Sequence, residues 1–182
     1  MEIWDDLAGI VAVAGQVCVG LVFIVAGAQK MRHWSILRGV IANYRLLPEE
    51  MVAPAASLLP LVEAITGIAL LSGVAWPQAQ LAAILLLGLF AAAMAINIER
   101  GRSHIDCGCN QSFLRQPLRR LLVARNGVLI VALLPSLALA GTVSPLALPA
   151  GLAAGVAFFL LYMLVNVFAA LPKAGLAMGA GT

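Results

Sequence analysis

The stretch Leu7-Ala8-Gly9-Ile10-Val11-Ala12-Val13-Ala14-Gly15-Gln16-Val17-Cys18-Val19-Gly20-Leu21-Val22-Phe23-Ile24-Val25-Ala26-Gly27-Ala28-Gln29 carries no charge over its whole length. A bilayer core about 30 Å thick needs roughly 20 such residues when they are helical. An open strand would leave its backbone groups unpaired in lipid, so a helix is the expected element. The preceding Met1-Glu2-Ile3-Trp4-Asp5-Asp6 has no cationic segment, and the apolar run is too long for a signal-peptide core; a retained first span is expected. Similar blocks occupy about 51–73, 78–98, 117–140 and 148–171. Pro48-Glu49-Glu50 opens the second, a helix-start signal of proline with carboxylates in the first turn.

The composition agrees. The chain has 182 residues, a mean hydropathy of +1.03, 63% hydrophobic and 10% charged residues. A soluble domain carries about 25% charged residues. The expected fold is therefore an all-α integral membrane protein, one membrane domain over 1–182 with five transmembrane helices. Little chain is left for a soluble catalytic domain.

Charge alternates between the connections. Residues 30–50 hold Lys30, Arg32, Arg38 and Arg45; residues 99–120 hold Arg100, Arg102, Arg115, Arg119 and Arg120; the tail holds Lys173. The N-terminus and the turns 74–77 and 141–147 hold no Lys or Arg. By the positive-inside rule the N-terminus lies outside, the C-terminus inside, and the 99–116 loop at the cytoplasmic face. The net charge of +3 thus reports loop orientation, and nothing supports nucleic-acid binding. Trp34, Leu37, Ile41 and Tyr44 recur at helical spacing, as in a short interfacial helix, although an ordinary basic loop fits equally.

The loop contains Ile105-Asp106-Cys107-Gly108-Cys109-Asn110-Gln111-Ser112. A disulfide needs Cα atoms roughly 4.4–6.8 Å apart, which cysteines separated by one flexible glycine just reach. Such a small, strained, exposed ring is readily reduced, and nearby Arg102 and Arg115 favour the nucleophilic thiolate, against Asp106. Redox chemistry competes with metal binding by His104, Cys107 and Cys109, which lacks an evident fourth ligand. It also competes with two cysteines that merely tie or pack a turn. No metal is expected.

Within the spans, Glu63 is the one deep acid. A carboxylate there costs about 2.5–3.5 kcal/mol on insertion scales and is a functional candidate by default. Arg125, about 12 Å into its helix if that starts at Pro117, either pairs with Glu63, directly or through a ligand, or snorkels to the loop. Asn126 and Asn166 are expected as interhelical hydrogen-bond partners. Cys18 is a packing residue by default, but counting from the inner helix ends puts it level with Glu63, as for a relay.

Phe23-Ile24-Val25-Ala26-Gly27-Ala28-Gln29-Lys30, Tyr44-Arg45-Leu46-Leu47-Pro48 and Leu59-Pro60-Leu61-Val62-Glu63 resemble segments of MauE-type methylamine utilisation proteins. So do 97–102, Asp106-Cys107-Gly108-Cys109 and Arg125-Asn126, and together they suggest the wider DoxX-like membrane superfamily. The resemblance covers about 7–135. It implies a four-helix core plus one further helix, in a bacterial inner membrane. It also implies a role in maturing the disulfide-rich small subunit of a periplasmic amine dehydrogenase, beside a thioredoxin-like partner. By position it singles out Cys107, Cys109, Glu63 and Arg125. Relatives often have Phe-Gly where this chain has Asn110-Gln111, and the implied client is periplasmic whereas the charge pattern puts the cysteines inside.

Three functions follow as expectations. The first is a membrane thiol–disulfide component, with Cys107 and Cys109 cycling, Cys18 a relay and Glu63 handling protons. The second is a non-catalytic anchor for the thioredoxin-like partner. The third is a quinone-linked subunit without thiol chemistry. No dinucleotide or haem motif is present; a quinone is the one cofactor considered, as an electron acceptor if the loop folds back into the bundle.

Overall fold

A computed structural model of the chain describes residues 2–102, 105, 118–138, 144, 145 and 147–170. These form α1 (Glu2–Arg32), α2 (Trp34–Tyr44), α3 (Glu49–Ser72), α4 (Gln78–Glu99), α5 (Arg120–Ala138) and α6 (Ala147–Ala170), with no strand among the described residues. All but α2 are long and apolar enough to cross a membrane, so five spans are found where five were expected.

Local chemistry sets several boundaries. Pro48 precedes α3, Glu49 and Glu50 occupy its first turn, and Gly73 ends it in a left-handed conformation (φ 68°) that glycine adopts without strain. Ser144 accepts the Ala147 N–H at 3.1 Å, capping the start of α6, and donates to Asp6 Oδ1 at 2.6 Å. That second bond fastens the start of α6 to the first turns of α1. The start of α5 differs from expectation. α5 begins at Arg120, and just before it the Leu118 N–H bonds the Ile105 carbonyl (3.1 Å). Arg125 is therefore about 7.5 Å into the helix instead of 12.

α1 is the hub. It packs against α3, α5 and α6, and α6 lies along it as extensively as α3 does. In lipid, helices gain no hydrophobic drive from meeting each other, so close backbone approach through small residues must hold them. Three faces of α1 work this way. Towards α3, a Cβ on Gly67 would lie 2.8 Å from the Gly20 carbonyl, and one on Gly27 2.8 Å from the Pro60 carbonyl. Towards α5, Gly15 abuts the Ala132 carbonyl. Towards α6, Gly151 and Gly155 receive Val13 and Val17. The fifth span, generic by composition, is thus seated on the hub by its own small-residue face.

Val19, Val22, Phe23, Leu70, Ala83, Leu87, Leu129 and Leu133 form the core where α1, α3, α4 and α5 meet. Around it the bundle presents aliphatic and aromatic side chains outward, among them Leu85, Val128, Phe158 and Phe168, as a lipid-facing surface requires. The short α2 folds back against α3, with Trp34 Nε1 donating to Ser57 Oγ at 3.2 Å and Leu37 buried.

The glycine contacts yield a direct test. Gly67→Leu should destabilise the bundle by about 1–3 kcal/mol or more, because backbone has to move. Gly88→Leu meets nothing within 4 Å and should leave the thermal midpoint in detergent unchanged.

Candidate functional site

Lys30, in the last turn of α1, reaches Glu63 in the middle of α3 and forms an ion pair with its Oε1. Both side chains are withdrawn from the surface, at 10% and 2% exposure. The geometry follows from helix direction. Every Cα–Cβ bond tilts towards the helix N-terminus. A lysine near the C-terminal end of α1 therefore leans back into the bundle, and its four-carbon stem covers the remaining distance. The Lys30 ammonium also sits 4.9 Å from the centre of the Phe90 ring, a favourable cation–π placement.

Glu63 and Arg125 line one small cavity, of about 30 Å³, together with Lys30, Asn126, Phe90 and Tyr162. That is room for about one water-sized group. Arg125 Nη1 donates to Asn166 Oδ1 at 2.7 Å, and the guanidinium lies 5.7 Å from the Tyr162 ring centre. Asn166 in turn donates to the Tyr162 carbonyl (2.7 Å), which fixes its amide orientation. Asn166 is thus the interhelical partner expected, and α6 supplies the seat for Arg125. Asn126 is 3% exposed, and its amide nitrogen has no hydrogen-bond partner among the described residues.

Glu63 and Arg125, expected to pair directly or through a ligand, line one cavity, and Lys30 is a cation bonded to Glu63 Oε1. By the charge pattern alone Lys30 is one of the basic residues of the 30–50 connection. Tyr162, in the span read as generic, was also missed. With α1 continuing to Arg32, the Lys30 Cα–Cβ bond tilts towards the bundle interior, a direction that the charge pattern does not carry.

Cys18 lies elsewhere. It is 7% exposed in α1 and does not line the cavity. The helix register corrects the expectation that it shares a level with Glu63. Gly20 meets Gly67, Gln16 Nε2 bonds the Leu70 carbonyl at 2.5 Å, and Lys30 meets Glu63. Cys18 is therefore offset from Glu63 by about 8 Å along α3. Counting from helix ends failed because the first turns of α3 run beyond the end of α1, alongside α2.

Cys107, Cys109, His104 and Arg115 lie outside the described residues. What is described is the neck of their loop. Ile105 N–H bonds the Arg102 carbonyl (3.3 Å), and Leu118 N–H bonds the Ile105 carbonyl. Ile105 and Leu118 are both buried, against Met94 and Leu122. The two ends of the loop are thereby held side by side on the bundle, at the end where Lys30, Arg32, Arg100, Arg102, Arg119 and Arg120 gather. Among the described residues no three His, Cys, Asp or Glu side chains converge as a metal site would need.

Removing one member of a buried ion pair leaves the other uncompensated. Lys30→Met should therefore destabilise the bundle by about 3–5 kcal/mol, and Lys30→Met combined with Glu63→Leu should recover most of that loss. Thermal melts of both variants in detergent check this; a double variant no more stable than the single would show the pair is not coupled as described.

Comparison with known proteins agrees with the motifs. The family described as methylamine utilisation protein MauE matches residues 8–141. A methylamine utilization protein MauE from Paracoccus denitrificans is 41% identical over 168 residues, covering 87% of each chain. One from Methylorubrum extorquens is 40% identical over 162 residues, covering 88% of this chain and 86% of its own. One from Methylophilus methylotrophus is 43% identical over 131 residues, covering 72% and 64%. No solved structure gives a significant match. With the family match spanning most of the bundle and these identities over most of the chain, the protein belongs to the MauE methylamine utilisation family.

Proposed function

We propose that this protein is a thiol–disulfide redox component of the bacterial inner membrane that assists maturation of a periplasmic, disulfide-rich amine dehydrogenase subunit. Cys107 and Cys109 are its redox pair, and a thioredoxin-like protein is its partner. The observation that carries this reading is the Cys107-Gly108-Cys109 sequence in a loop whose neck is pinned to the charged end of the bundle. Glycine between the two cysteines gives the chain the freedom to close a disulfide, and the neighbouring Arg102 and Arg115 in the sequence favour the nucleophilic thiolate, against Asp106.

The charge pattern supports an N-terminus outside, a C-terminus inside and the cysteine loop on the cytoplasmic side. In that orientation the pair takes two electrons from a cytosolic dithiol, which closes to a disulfide as the Cys107–Cys109 bond opens, and the periplasmic partner is reached through a further electron or thiol carrier that crosses the bilayer. Each exchange is balanced within itself. A thiolate attacks a disulfide sulfur, the old S–S bond breaks with departure of a thiolate, and the second cysteine closes the new disulfide. Glu63, Lys30 and Arg125 supply a charged, water-sized cavity within the span, suited to holding a proton or a small polar group beside the apolar core. Cys18 keeps the role of a packing residue, since the register sets it apart from this cavity.

Sidedness, redox state and dispensability test the proposal together. In intact and inverted membrane vesicles, a membrane-impermeant maleimide should add two mass labels at Cys107 and Cys109 only after reduction, and only from the cytoplasmic face. Cys18 should stay unlabelled. Cys107→Ser/Cys109→Ser should abolish maturation of the client subunit. Normal maturation in that variant would leave a non-catalytic membrane anchor, and labelling from the periplasmic face would reverse the direction of electron flow.

A further inference from the structure

The small charged cavity carries an excess of positive charge. Among the described residues that line it, Lys30 and Arg125 are cations and Glu63 is the one acid. Wherever the proton between Lys30 and Glu63 sits, that pair sums to zero. Arginine does not give up its proton in proteins, so Arg125 leaves one positive charge over. Asn166, which accepts from its Nη1, and the Tyr162 ring beside it are neutral. The adjoining space brings no counter-charge. It is an apolar groove of about 390 Å³ between α2, α3 and α4, and it shares Lys30 and Phe90 with the cavity. Lys30 is the one charged residue among those described in its lining. A net charge in such apolar surroundings is costly, and a counter-ion beside it removes much of the cost.

We infer that the charged cavity binds a small monovalent anion of chloride size, held among Arg125, Lys30 and the Asn126 amide. Three features select that chemistry. The first is charge: an anion brings the lining to neutrality, whereas a water molecule leaves the excess and a cation adds to it. The second is the excess of donors. Asn126 lines the cavity at 3% exposure, and its amide nitrogen has no hydrogen-bond partner among the described residues. A buried N–H needs an acceptor, and lysine and arginine bring only donors. An ion that only accepts suits that lining better than water, which has to donate as well. The third is size. About 30 Å³ holds one water-sized group, which excludes sulfate, phosphate and the head of a phospholipid or fatty acid. The site uses neither cysteine and stands apart from the thiol reading above.

Chloride binding to the full chain in dodecylmaltoside, exchanged into gluconate buffer, tests the inference. Equilibrium dialysis with radiolabelled chloride should show saturable binding of one ion per chain. Bromide should displace it, and sulfate, too large for the cavity, should not. The surface arginines at the same end would prefer the doubly charged sulfate. Displacement by sulfate as readily as by bromide would therefore overturn the site, as would the absence of saturable binding, which leaves water there. At equal ionic strength chloride should also raise the thermal midpoint above its value in gluconate, because a ligand of the folded state stabilises it. Arg125→Met should abolish binding by removing the excess charge. Asn126→Leu, which keeps that charge, should weaken binding about tenfold, and it serves alone if Arg125→Met fails to fold. Parental affinity in either variant would overturn the proposal. Cys107→Ser/Cys109→Ser should bind chloride like the parent, so lost client maturation in that variant bears on the thiols alone.

Discussion

A carboxylate at 1% exposure in a membrane-spanning helix has to be compensated, and most of the arrangement around Glu63 serves that need. Lys30 meets it only if α1 stays helical to its end and α1 and α3 lie close enough for one lysine stem to bridge them. The closeness comes from Gly20, Gly27 and Gly67, where backbone lies against backbone. A Cβ at Gly27 or Gly67 would press on the backbone opposite and push the helices apart. Packing and electrostatics are therefore one constraint here: the same absent side chains that hold the bundle in lipid also place the charge.

The second consequence is asymmetry along the bundle. One end is quiet, with short turns fastened by hydrogen bonds such as Ser144 to Asp6 and Trp76 Nε1 to the Ser136 carbonyl (3.1 Å). The other end carries the basic residues, the loop neck, α2 and both cavities. There α2 occupies space beside α3 that a simple bundle would close, and α3 meets α4 less extensively than it meets α1. The groove is what remains between them. An amphipathic segment that sequence alone left ambiguous between interfacial helix and loop is therefore one wall of an apolar groove of about 390 Å³ between α2, α3 and α4.

How much of this the sequence discloses depends on which physical signal each feature writes into it. Spans write a long uncharged run, and all five are legible. Glu63 stands out because lipid makes a lone acid expensive. Lys30 does not, since a lysine near a span end has a ready explanation as a loop charge; its inward direction appears only once the helix is known to continue to Arg32. The depth of Cys18 was misjudged for a related reason. Distances along one helix follow from residue counts, but the offset between two helices depends on how they dock, and α2 shifted it. The value of α6 was hidden because Gly151 and Gly155 look like ordinary membrane residues until Val13 and Val17 are seen seated on them.

The loop neck and the charged cavity are not separate features. Met94, Ile105, Leu118 and Leu122 form one buried cluster, and Phe90, Tyr44, Ile98 and Val123 pack against it. Phe90 is also the ring under the Lys30 ammonium and a wall of both cavities. Protein interiors are close-packed and transmit displacement between neighbours. Ile105 and Leu118 thus share one packed cluster with Phe90, whose ring lies beside the cation paired with Glu63. The neck of the cysteine-bearing loop is anchored in the same layer of side chains that walls the charged cavity.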